Sequence, residues 1–345
     1  LHQEAGAELE TVDQSVVPWR FTDPAAEEGA ARQGCALAAR NYLGRLVAVG
    51  ADVLDLMDRL SSNRVADLPL GRGVPTALLT DKGRVLDVVH LFHLRERFLL
   101  LTTRGMSREV REWIERFTIT EDVATLDVTG ETFLLTLLGP RWPQVAREAL
   151  GVEALPPGGA AEALVDAVQV LVLRTDPLGL PGCDLVVEVQ GAGAVWRRLQ
   201  GAGAQPIGEA TLEALRVAQG WPGRGAELSQ EHNALEAGLR GITSFRKCYI
   251  GQEVVARLDT YQKLQRRLVR LAVEGGEVAP GAPLEHEGRH VGRVTSVARV
   301  PSSGALVALG YVRTEAAREG ATLPTATGAT VRVLGPALPF GPGEA

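Results

Sequence analysis

The sequence predicts an α+β fold in which antiparallel sheets alternate with helices and a small β-barrel follows near the C-terminal end. Three observations lead to this prediction. Short β-rich runs bounded by turn residues recur up to Arg267, amphipathic helical patterns lie between them, and only short strands separated by Gly and Pro follow Arg267. A chain of 345 residues exceeds one ordinary hydrophobic core, so two or three packed units are expected.

The first predicted elements follow an N-terminal segment that is polar and acidic. Because residues 1–20 lack a clear hydrophobic period, we expect a loosely held arm, with regular order beginning near Arg45. Residues 46–49 are predicted to form a short strand. Apolar side chains at the i, i+3, i+4 and i+7 positions from Val53 predict an amphipathic helix, and Asp52 suits the positive end of that helix.

The middle of the chain continues this alternation of strands and helices. Residues 74–103 contain three β-rich runs separated by turns, which favours antiparallel hairpins. Ser107 is predicted to cap a helix whose apolar face includes Val110 and Ile114. The further predicted elements are strands at 123–128, 133–138, 168–173 and 185–189 and helices near 142, at 194–199 and at 211–218.

The barrel is predicted from four short strands that follow Arg267, at 268–273, 290–300, 306–312 and 330–334. Two prolines and two glycines at 156–159 mark a loop or a join between subdomains. The predicted organisation is an N-terminal arm at 1–40, a first α+β subdomain at 41–155, a second α+β subdomain with the segment around Cys248 at 156–265, the β-barrel at 266–335 and a disordered tail at 336–345.

Composition limits the classes of function. No stretch approaches the ~18 to 20 apolar residues of a membrane helix, and the first residues lack the regions of a secretion signal, so we expect a cytoplasmic protein without membrane contact. The three cysteines, Cys35, Cys183 and Cys248, lie far apart, which predicts free thiols in a reducing compartment. A formal net charge of -6 argues against broad nucleic-acid binding, and the basic stretch 263–267 is predicted to be a solvated face.

Three other patterns in the sequence do not predict a binding site. Residues 191–193 (Gly-Ala-Gly) precede a predicted helix, but Trp196 stands where a dinucleotide fingerprint needs its third glycine. His90 and His93 would point to opposite faces of one strand, so no metal site is predicted there. Three scattered cysteines cannot by themselves hold a conventional iron–sulfur cluster, which takes about four thiolates, so any role with such clusters would be accessory.

Residues 244–257, here called the cysteine segment, carry the densest set of interacting side chains. Cations from Arg246 and Lys247 are expected to stabilise the thiolate of Cys248, which makes it the best candidate for a reactive thiol. Gly251 permits a close backbone approach, and an amide and a carboxylate follow it. The alternative interpretation is a tight loop with a half-buried structural cysteine, which is the only interpretation given to the other two cysteines.

The run 247–257 resembles the signature of the YgfZ family, relatives of the aminomethyltransferase (T-protein) of the glycine cleavage system. That signature follows the pattern K-G-C-Y-x-G-Q-E-x-x-A-R, whereas here Arg246 and Lys247 directly precede Cys248. The supporting resemblances lie at 49–65, 80–87, 213–220, 235–239 and 292–296, and the whole extends over residues 40–334.

The resemblance implies an aminomethyltransferase-like, folate-binding body, with tetrahydrofolate or a one-carbon derivative as the cofactor. It implies that the first α+β subdomain, at 41–155, is the folate-binding one. It implies that Cys248 and Lys247 carry the chemistry. The folate contacts that it implies are Asn63, Asp87, Arg216, Tyr249, Gly251, Gln252, Glu253 and Arg257.

Two departures from the parent enzymes disfavour aminomethyl transfer. A pair of acidic residues expected in the first hairpin is replaced here by Asp87 and Val88, and Leu180 stands in place of a glutamate in the folate-contacting segment 174–182. Leucine cannot accept hydrogen bonds from a pterin ring, and each ring donor left unpaired would cost ~1 to 3 kcal/mol. Folate binding without the parent reaction is therefore expected.

Three functions follow as hypotheses. The first, implied by the resemblance, is a folate-dependent accessory factor in the synthesis or repair of iron–sulfur proteins, with client or assembly proteins as partners. The second is a tetrahydrofolate-dependent aminomethyl or methyl transferase that uses Asp87 as its polar group. The third is a noncatalytic interaction protein whose basic stretch 263–267 meets an RNA or an acidic partner.

Overall fold

The structure is a computed structural model that describes residues 6–12, 15–326 and 328–341. The chain divides into two compact units. The first comprises Leu1–Asp58, Val65–Pro75 and Val88–Leu212, and the second comprises Arg59–Arg64, Thr76–Asp87 and Glu213–Ala345. These units are not the consecutive segments 41–155 and 156–265, because two short pieces of the N-terminal half group with the C-terminal residues.

Helices and strands alternate along the described residues, as the sequence predicts. The helices are α1 (Pro24–Gln33), α2 (Val53–Leu60), α3 (Ser107–Phe117), α4 (Trp142–Leu150), α5 (Ala192–Gly201), α6 (Glu209–Gln219) and α7 (Gln252–Thr260). The strands are β1 (Glu8–Val12), β2 (Ser15–Arg20), β3 (Ala36–Ala39), β4 (Leu43–Val49), β5 (Arg72–Leu79), β6 (Val85–His93), β7 (Phe98–Arg104), β8 (Ala124–Asp127), β9 (Thr132–Leu138), β10 (Ala160–Val165), β11 (Val168–Leu173), β12 (Gly182–Glu188), β13 (Gln205–Pro206), β14 (Arg266–Glu274), β15 (Pro283–His286), β16 (Arg289–Arg299), β17 (Leu306–Arg313), β18 (Thr322–Pro324) and β19 (Thr330–Pro336).

The predicted amphipathic helices and hairpins are confirmed. Val53, Leu56, Met57 and Leu60 are all buried on α2, because their spacing places them on one helical face. The hairpin of β6 and β7 pairs antiparallel. The predicted cap of α3 is wrong in detail, since Met106 is the N-cap residue and Ser107 is already helical.

The segment before Arg45 is more ordered than its composition predicts. Strands β1 and β2 pair antiparallel, and Asp23 caps α1 by accepting hydrogen bonds from the N–H groups of Ala25 and Ala26. Glu27, which is buried, accepts hydrogen bonds from the N–H groups of Phe21, Thr22 and Gly208 and from the hydroxyl of Thr211. The expectation that order begins near Arg45 is therefore wrong, because a buried carboxylate organises a polar stretch.

The first unit is built on two sheets. Their strand orders are β5-β6-β7-β4-β8 and β10-β11-β12-β9-β3-β13, with the last residues of β5 and the first of β6 grouping with the second unit. The core of the second of these sheets includes Trp142, Trp196, Cys35 and Cys183. Burial raises the pKa of Cys35 to about 12 and the pKa of Cys183 well above its ordinary value, so both thiols are structural.

The rejected motifs keep structural roles in the first unit. Trp196 lies on α5 with almost no exposed surface and stacks on Phe21, with 5.9 Å between the ring centroids. His90 stacks on Phe92 and His93 stacks on Phe98, with 5.3 and 4.6 Å between the ring centroids. These side chains therefore contribute to the aromatic packing of the first unit.

The second unit contains the predicted β-barrel. Its strand order is β15-β16-β17-β14-β19-β18, and a bridge between Leu284 and Thr325 brings the two edges together, so the barrel is nearly closed. The predicted disordered tail is wrong for its described part, because the buried Ala337 donates its N–H to the carbonyl of Leu268 at 3.0 Å. Residues 342–345 of that tail lie outside the described residues.

None of the described helices combines the length and the apolar character that crossing a membrane would require.

Candidate functional site

Residues 244–250 of the cysteine segment form a loop that is fastened at both ends within the second unit. Ser244 donates its N–H to the carbonyl of Ser62 at 2.8 Å, and Ile250 donates its N–H to the carbonyl of Arg59 at 3.1 Å. Between these anchors Cys248 is exposed, in contrast to Cys35 and Cys183. The backbone thus presents one thiol to solvent from a defined position.

Lys247 connects this loop to a second predicted site residue. Its ammonium donates a hydrogen bond to the carbonyl of Asn63 at 2.7 Å and lies 5.7 Å from the centre of the Tyr249 ring. A cation over an aromatic face is attracted to the ring electrons. Asn63, Lys247 and Tyr249 are therefore brought together beside Cys248, although 184 residues separate the first two in sequence.

Tyr249 is the buried member of this group. Its side chain is 8% exposed, and its hydroxyl has no hydrogen-bond partner among the described residues. Burial raises the pKa of this phenol, so it remains protonated and able to donate. A buried hydroxyl without a partner costs about 1 to 3 kcal/mol, which a polar ligand could offset.

Gly251 fastens the cysteine segment to the hairpin that carries Asp87. Its φ of 84° is left-handed, and a Cβ atom at this position would lie 2.4 Å from the carbonyl oxygen of Thr80 and 3.0 Å from the Cα of Gly83. Only glycine tolerates both conditions. The predicted close backbone approach is thus the contact between this loop and the hairpin turn at 80–83.

The remaining residues of the segment lie on α7. Gln252 is the first helical residue and is half-buried, Glu253 stands exposed in the first turn, and Arg257 stands exposed in the last turn. A carboxylate near the start and a cation near the end both suit the helix dipole. Glu253 and Arg257 are therefore accessible to solvent, and their predicted contact with folate stays a prediction.

Asp87 and Arg216, unlike the exposed thiol of Cys248, are enclosed by other residues. Asp87 has no exposed surface on β6. All five N–H donors of Arg216 are already used within the second unit. Their acceptors are both carboxylate oxygens of Glu213, the carboxylate of Glu227, the carbonyl of Trp221 and the hydroxyl of Ser296, at 2.6 to 3.0 Å.

Arg216 is consequently a structural arginine. Burial opposes its charge, but hydrogen bonds and charges from Glu213 and Glu227 outweigh that effect and raise its pKa above the ordinary value. Contact with a folate carboxylate would require it to give up one of these partners. The predicted contact of Arg216 with folate stays a prediction, which these existing partners disfavour.

His232 is a buried residue that sequence reasoning missed. It has no exposed surface, both ring nitrogens lack hydrogen-bond partners among the described residues, and its ring stacks on Tyr311 with 3.5 Å between centroids. Nearby, Asn233 and Glu236 cap each other's backbone N–H groups, and the pattern Asn-x-x-Glu was a readable signal for this turn.

Acidification is expected to weaken the fold through His232. Burial, assisted by the cations of Arg266, Arg293 and Arg84 and opposed by Glu231, lowers its pKa to about 4, and the carboxylate of Glu236 lies 4.0 Å from its Nδ1. Because the unfolded pKa is about 6.5, the unfolded state binds the proton first, and stability present above pH 6.5 is lost as the pH falls toward 4. We expect a loss of roughly 3 kcal/mol from this residue across that window.

Urea unfolding at several pH values between 7 and 4 would measure this loss. The variant His232→Phe keeps a ring against Tyr311 but cannot titrate, so its stability should fall less steeply over the same window. Equal slopes for the two proteins would show that His232 does not cause the acid sensitivity.

A large cavity of about 1030 Å³ lies in the first unit and is lined by apolar side chains such as Leu99 and Leu126 and by charged ones such as Arg97, Glu131 and Glu162. None of the ten predicted site residues lines it. The predicted arrangement around Cys248 is therefore separate from the lining of this cavity.

Comparison with known proteins shows which family has this architecture. The family model of the GCVT N-terminal domain matches residues 1–247, and the model of the glycine cleavage T-protein C-terminal barrel domain matches residues 266–337. The chain belongs to the GCVT family. The predicted fold class, an aminomethyltransferase-like body with a C-terminal barrel, is thereby confirmed.

The GCVT relatives include proteins with transferase names. A chloroplastic protein of Arabidopsis thaliana, named as a transferase, is 30% identical over 287 residues, which are 82% of this chain and 66% of that relative. An aminomethyltransferase of Symbiobacterium thermophilum is 30% identical over 329 residues, or 90% of this chain and 87% of the relative. The crystal structure of aminomethyltransferase T of the glycine cleavage system from Bartonella henselae has a TM-score of 0.88 at 22% identity, covers 98% of this chain and 95% of its own, and shares the fold.

Proposed function

We propose that this GCVT protein is a tetrahydrofolate-binding accessory factor of the YgfZ type, acting in the synthesis or repair of iron–sulfur proteins in a reducing compartment such as the cytoplasm. The observation that carries the proposal is the exposed thiol of Cys248 on a loop fastened at both ends. A fixed and accessible thiol suits chemistry, whereas the two buried cysteines suit packing. The folate part of the proposal rests on the family, since its members bind tetrahydrofolate.

The residues around Cys248 fit a polar aromatic ligand. Tyr249 offers a hydroxyl with no partner among the described residues, and the ammonium of Lys247, which is bound to the carbonyl of Asn63, lies 5.7 Å from the centre of its ring. Bound tetrahydrofolate would supply a one-carbon group, while these side chains would bind and orient the ring. Arg216 takes no part, because its donors are engaged elsewhere.

The departures from the parent enzymes favour an accessory role over aminomethyl transfer. Val88 cannot replace the second carboxylate of the hairpin, and Leu180 cannot accept a hydrogen bond from a pterin. If the protein binds folate without these two hydrogen-bond acceptors, another side chain must carry its chemistry. Cys248 is the candidate, because its thiol is exposed.

Rescue of iron–sulfur enzyme activity in cells that lack the native protein tests the role of the thiol. The variant Cys248→Ala is expected to fail, while Cys35→Ala, which removes a buried thiol, is expected to rescue. Purified Cys248→Ala should still bind tetrahydrofolate, which would show that the fold survives. Full rescue by Cys248→Ala would overturn the proposal.

Folate binding itself is tested by titrating the purified protein with tetrahydrofolate and following tryptophan fluorescence. We expect saturable binding that Tyr249→Phe weakens about tenfold, because the unpartnered hydroxyl would lose its ligand contact. The absence of saturable binding would remove the basis of the folate role.

A second candidate function is tetrahydrofolate-dependent aminomethyl or methyl transfer, and the names of the relatives at 24 to 30% identity favour it. Asp87 would then be the polar group of the reaction. An assay of one-carbon transfer from small methylated amines to tetrahydrofolate separates the two functions. The accessory role predicts no turnover, whereas turnover that Asp87→Asn abolishes would establish the transferase.

A further inference from the structure

The second unit carries a cavity whose charged lining is dominated by arginine. Its volume is about 1010 Å³, at the upper end of the size of small-molecule sites. The charged residues that line it are the arginines Arg266, Arg293, Arg313 and Arg318 and the glutamates Glu231 and Glu315. The lining therefore has an excess of positive charge in a chain whose formal net charge is -6.

Strand register concentrates three of these cations on one face of the barrel. Arg266 on β14 is the direct partner of Arg313 on β17, and Arg293 on β16 is the direct partner of Tyr311 on β17. Tyr311 and Arg313 are two residues apart, so they project to the same side of the sheet. Like charges directly opposite each other destabilise a sheet, and an anion bound between them would offset that cost.

Only part of this charge is neutralised within the chain. Arg293 forms an ion pair with Glu231 at 2.7 Å, and Arg266 lies 3.4 Å from Glu236. Arg313 and Arg318 are exposed, and neither has an ion pair or a hydrogen-bonded side chain in the part of the chain that the structure describes. Two guanidinium groups thus remain available to a ligand.

The cavity wall that carries these two arginines is held in place. Thr314 donates its hydroxyl to the carbonyl of Leu264 at 2.5 Å and its N–H to the carbonyl of Gln265 at 2.9 Å. Tyr311 contributes to the lining, and its hydroxyl donates to the carbonyl of Glu227 at 2.9 Å. These hydrogen bonds therefore fix the backbone that carries Arg313 and Arg318.

We propose that this cavity binds a small molecule that carries two or more phosphate groups. Guanidinium groups pair with phosphate oxygens through parallel hydrogen bonds, and each phosphate brings more negative charge than a carboxylate. The concave shape suits a compact ligand, and the acidic chain as a whole would repel a long polyanion such as RNA. This inference concerns the barrel and is independent of Cys248 and folate.

Calorimetric titration of the full chain at about 0.15 M salt tests the site, with inorganic tripolyphosphate, adenosine diphosphate, inorganic phosphate, citrate and a short single-stranded RNA as probes. We expect saturable binding of tripolyphosphate that is at least about tenfold tighter than binding of phosphate or citrate. Binding of adenosine diphosphate as tight as that of tripolyphosphate would assign the site to nucleotides, and weaker binding would assign it to inorganic or other condensed phosphates.

The variants Arg313→Gln and Arg318→Gln are each expected to weaken tripolyphosphate binding roughly tenfold or more, and both should fold because neither side chain has a partner in the described chain. Arg289→Gln is the matched control, since Arg289 is exposed on β16 but does not line the cavity. Equal weakening by all three variants, equal affinity for citrate, or binding of RNA alone would overturn the proposal.

Discussion

Replacing Arg216 by methionine is expected to lower the free energy of unfolding by about 3 to 5 kcal/mol. The reason is Glu227, whose side chain has no exposed surface and would lose its cationic partner at 3.0 Å. The N–H of Gly223 and the hydroxyl of Ser296 would still donate to that carboxylate, but neither carries a charge. Urea unfolding at neutral pH measures the loss.

The double variant Arg216→Met/Glu227→Gln provides the control. It removes the buried charge together with its partner, so we expect it to be more stable than Arg216→Met alone. Folate affinity should be unchanged in both proteins that remain folded. If Arg216→Met instead kept its stability and lost folate affinity, Arg216 would return to the ligand role that the sequence resemblance suggested.

This case shows where sequence reasoning reaches its limit. Arg216 was correctly placed on a helix by local periodicity, but its partner Ser296 lies 80 residues away on a barrel strand. Nothing in the spacing of residues 213–220 reports that contact. An arginine near a glycine can therefore be recognised as part of a family pattern while its physical role remains hidden until the tertiary contacts are known.

The elements that were predicted well depend on local order. The faces of α2 and α3 follow from i, i+3 and i+4 spacing, and the barrel strands follow from short β-rich runs between turn residues. The N-terminal arm was predicted poorly, because the donors that satisfy the buried Glu27 include Thr211, which is 184 residues distant. Composition alone described that segment as polar and could not reveal a buried carboxylate.

The candidate site was predicted only in part, because local sequence patterns do not show its long-range contacts. The cysteine segment is contiguous, so its residues could be chosen from one stretch of sequence. The pairing of Lys247 with Asn63 is not local, and no sequence pattern linked these two residues to each other. The family resemblance nevertheless named both, which indicates that a motif can identify the members of a site before their geometry is known.

Alanine at position 251 is expected to destabilise the protein by about 2 to 5 kcal/mol and to change the rate at which Cys248 reacts with an alkylating reagent. Two costs combine in this estimate. A left-handed backbone costs a residue with a Cβ atom about 1 to 2 kcal/mol, and overpacking costs about 1 to 3 kcal/mol more. The second cost arises because the new methyl group would stand 2.4 Å from the Thr80 carbonyl oxygen, so backbone must move on one side or the other.

Gly275→Ala separates the two costs. Gly275 also has a positive φ, of 70°, but a Cβ atom there would have no heavy atom within 4 Å, so only the backbone cost of about 1 to 2 kcal/mol applies. The difference between the two variants measures the close approach between the cysteine loop and the hairpin at 80–83. A difference near zero, with the same reaction rate of Cys248 in both variants, would show that Gly251 does not position the thiol. The shape of the loop would then depend only on the backbone anchors at Ser244 and Ile250.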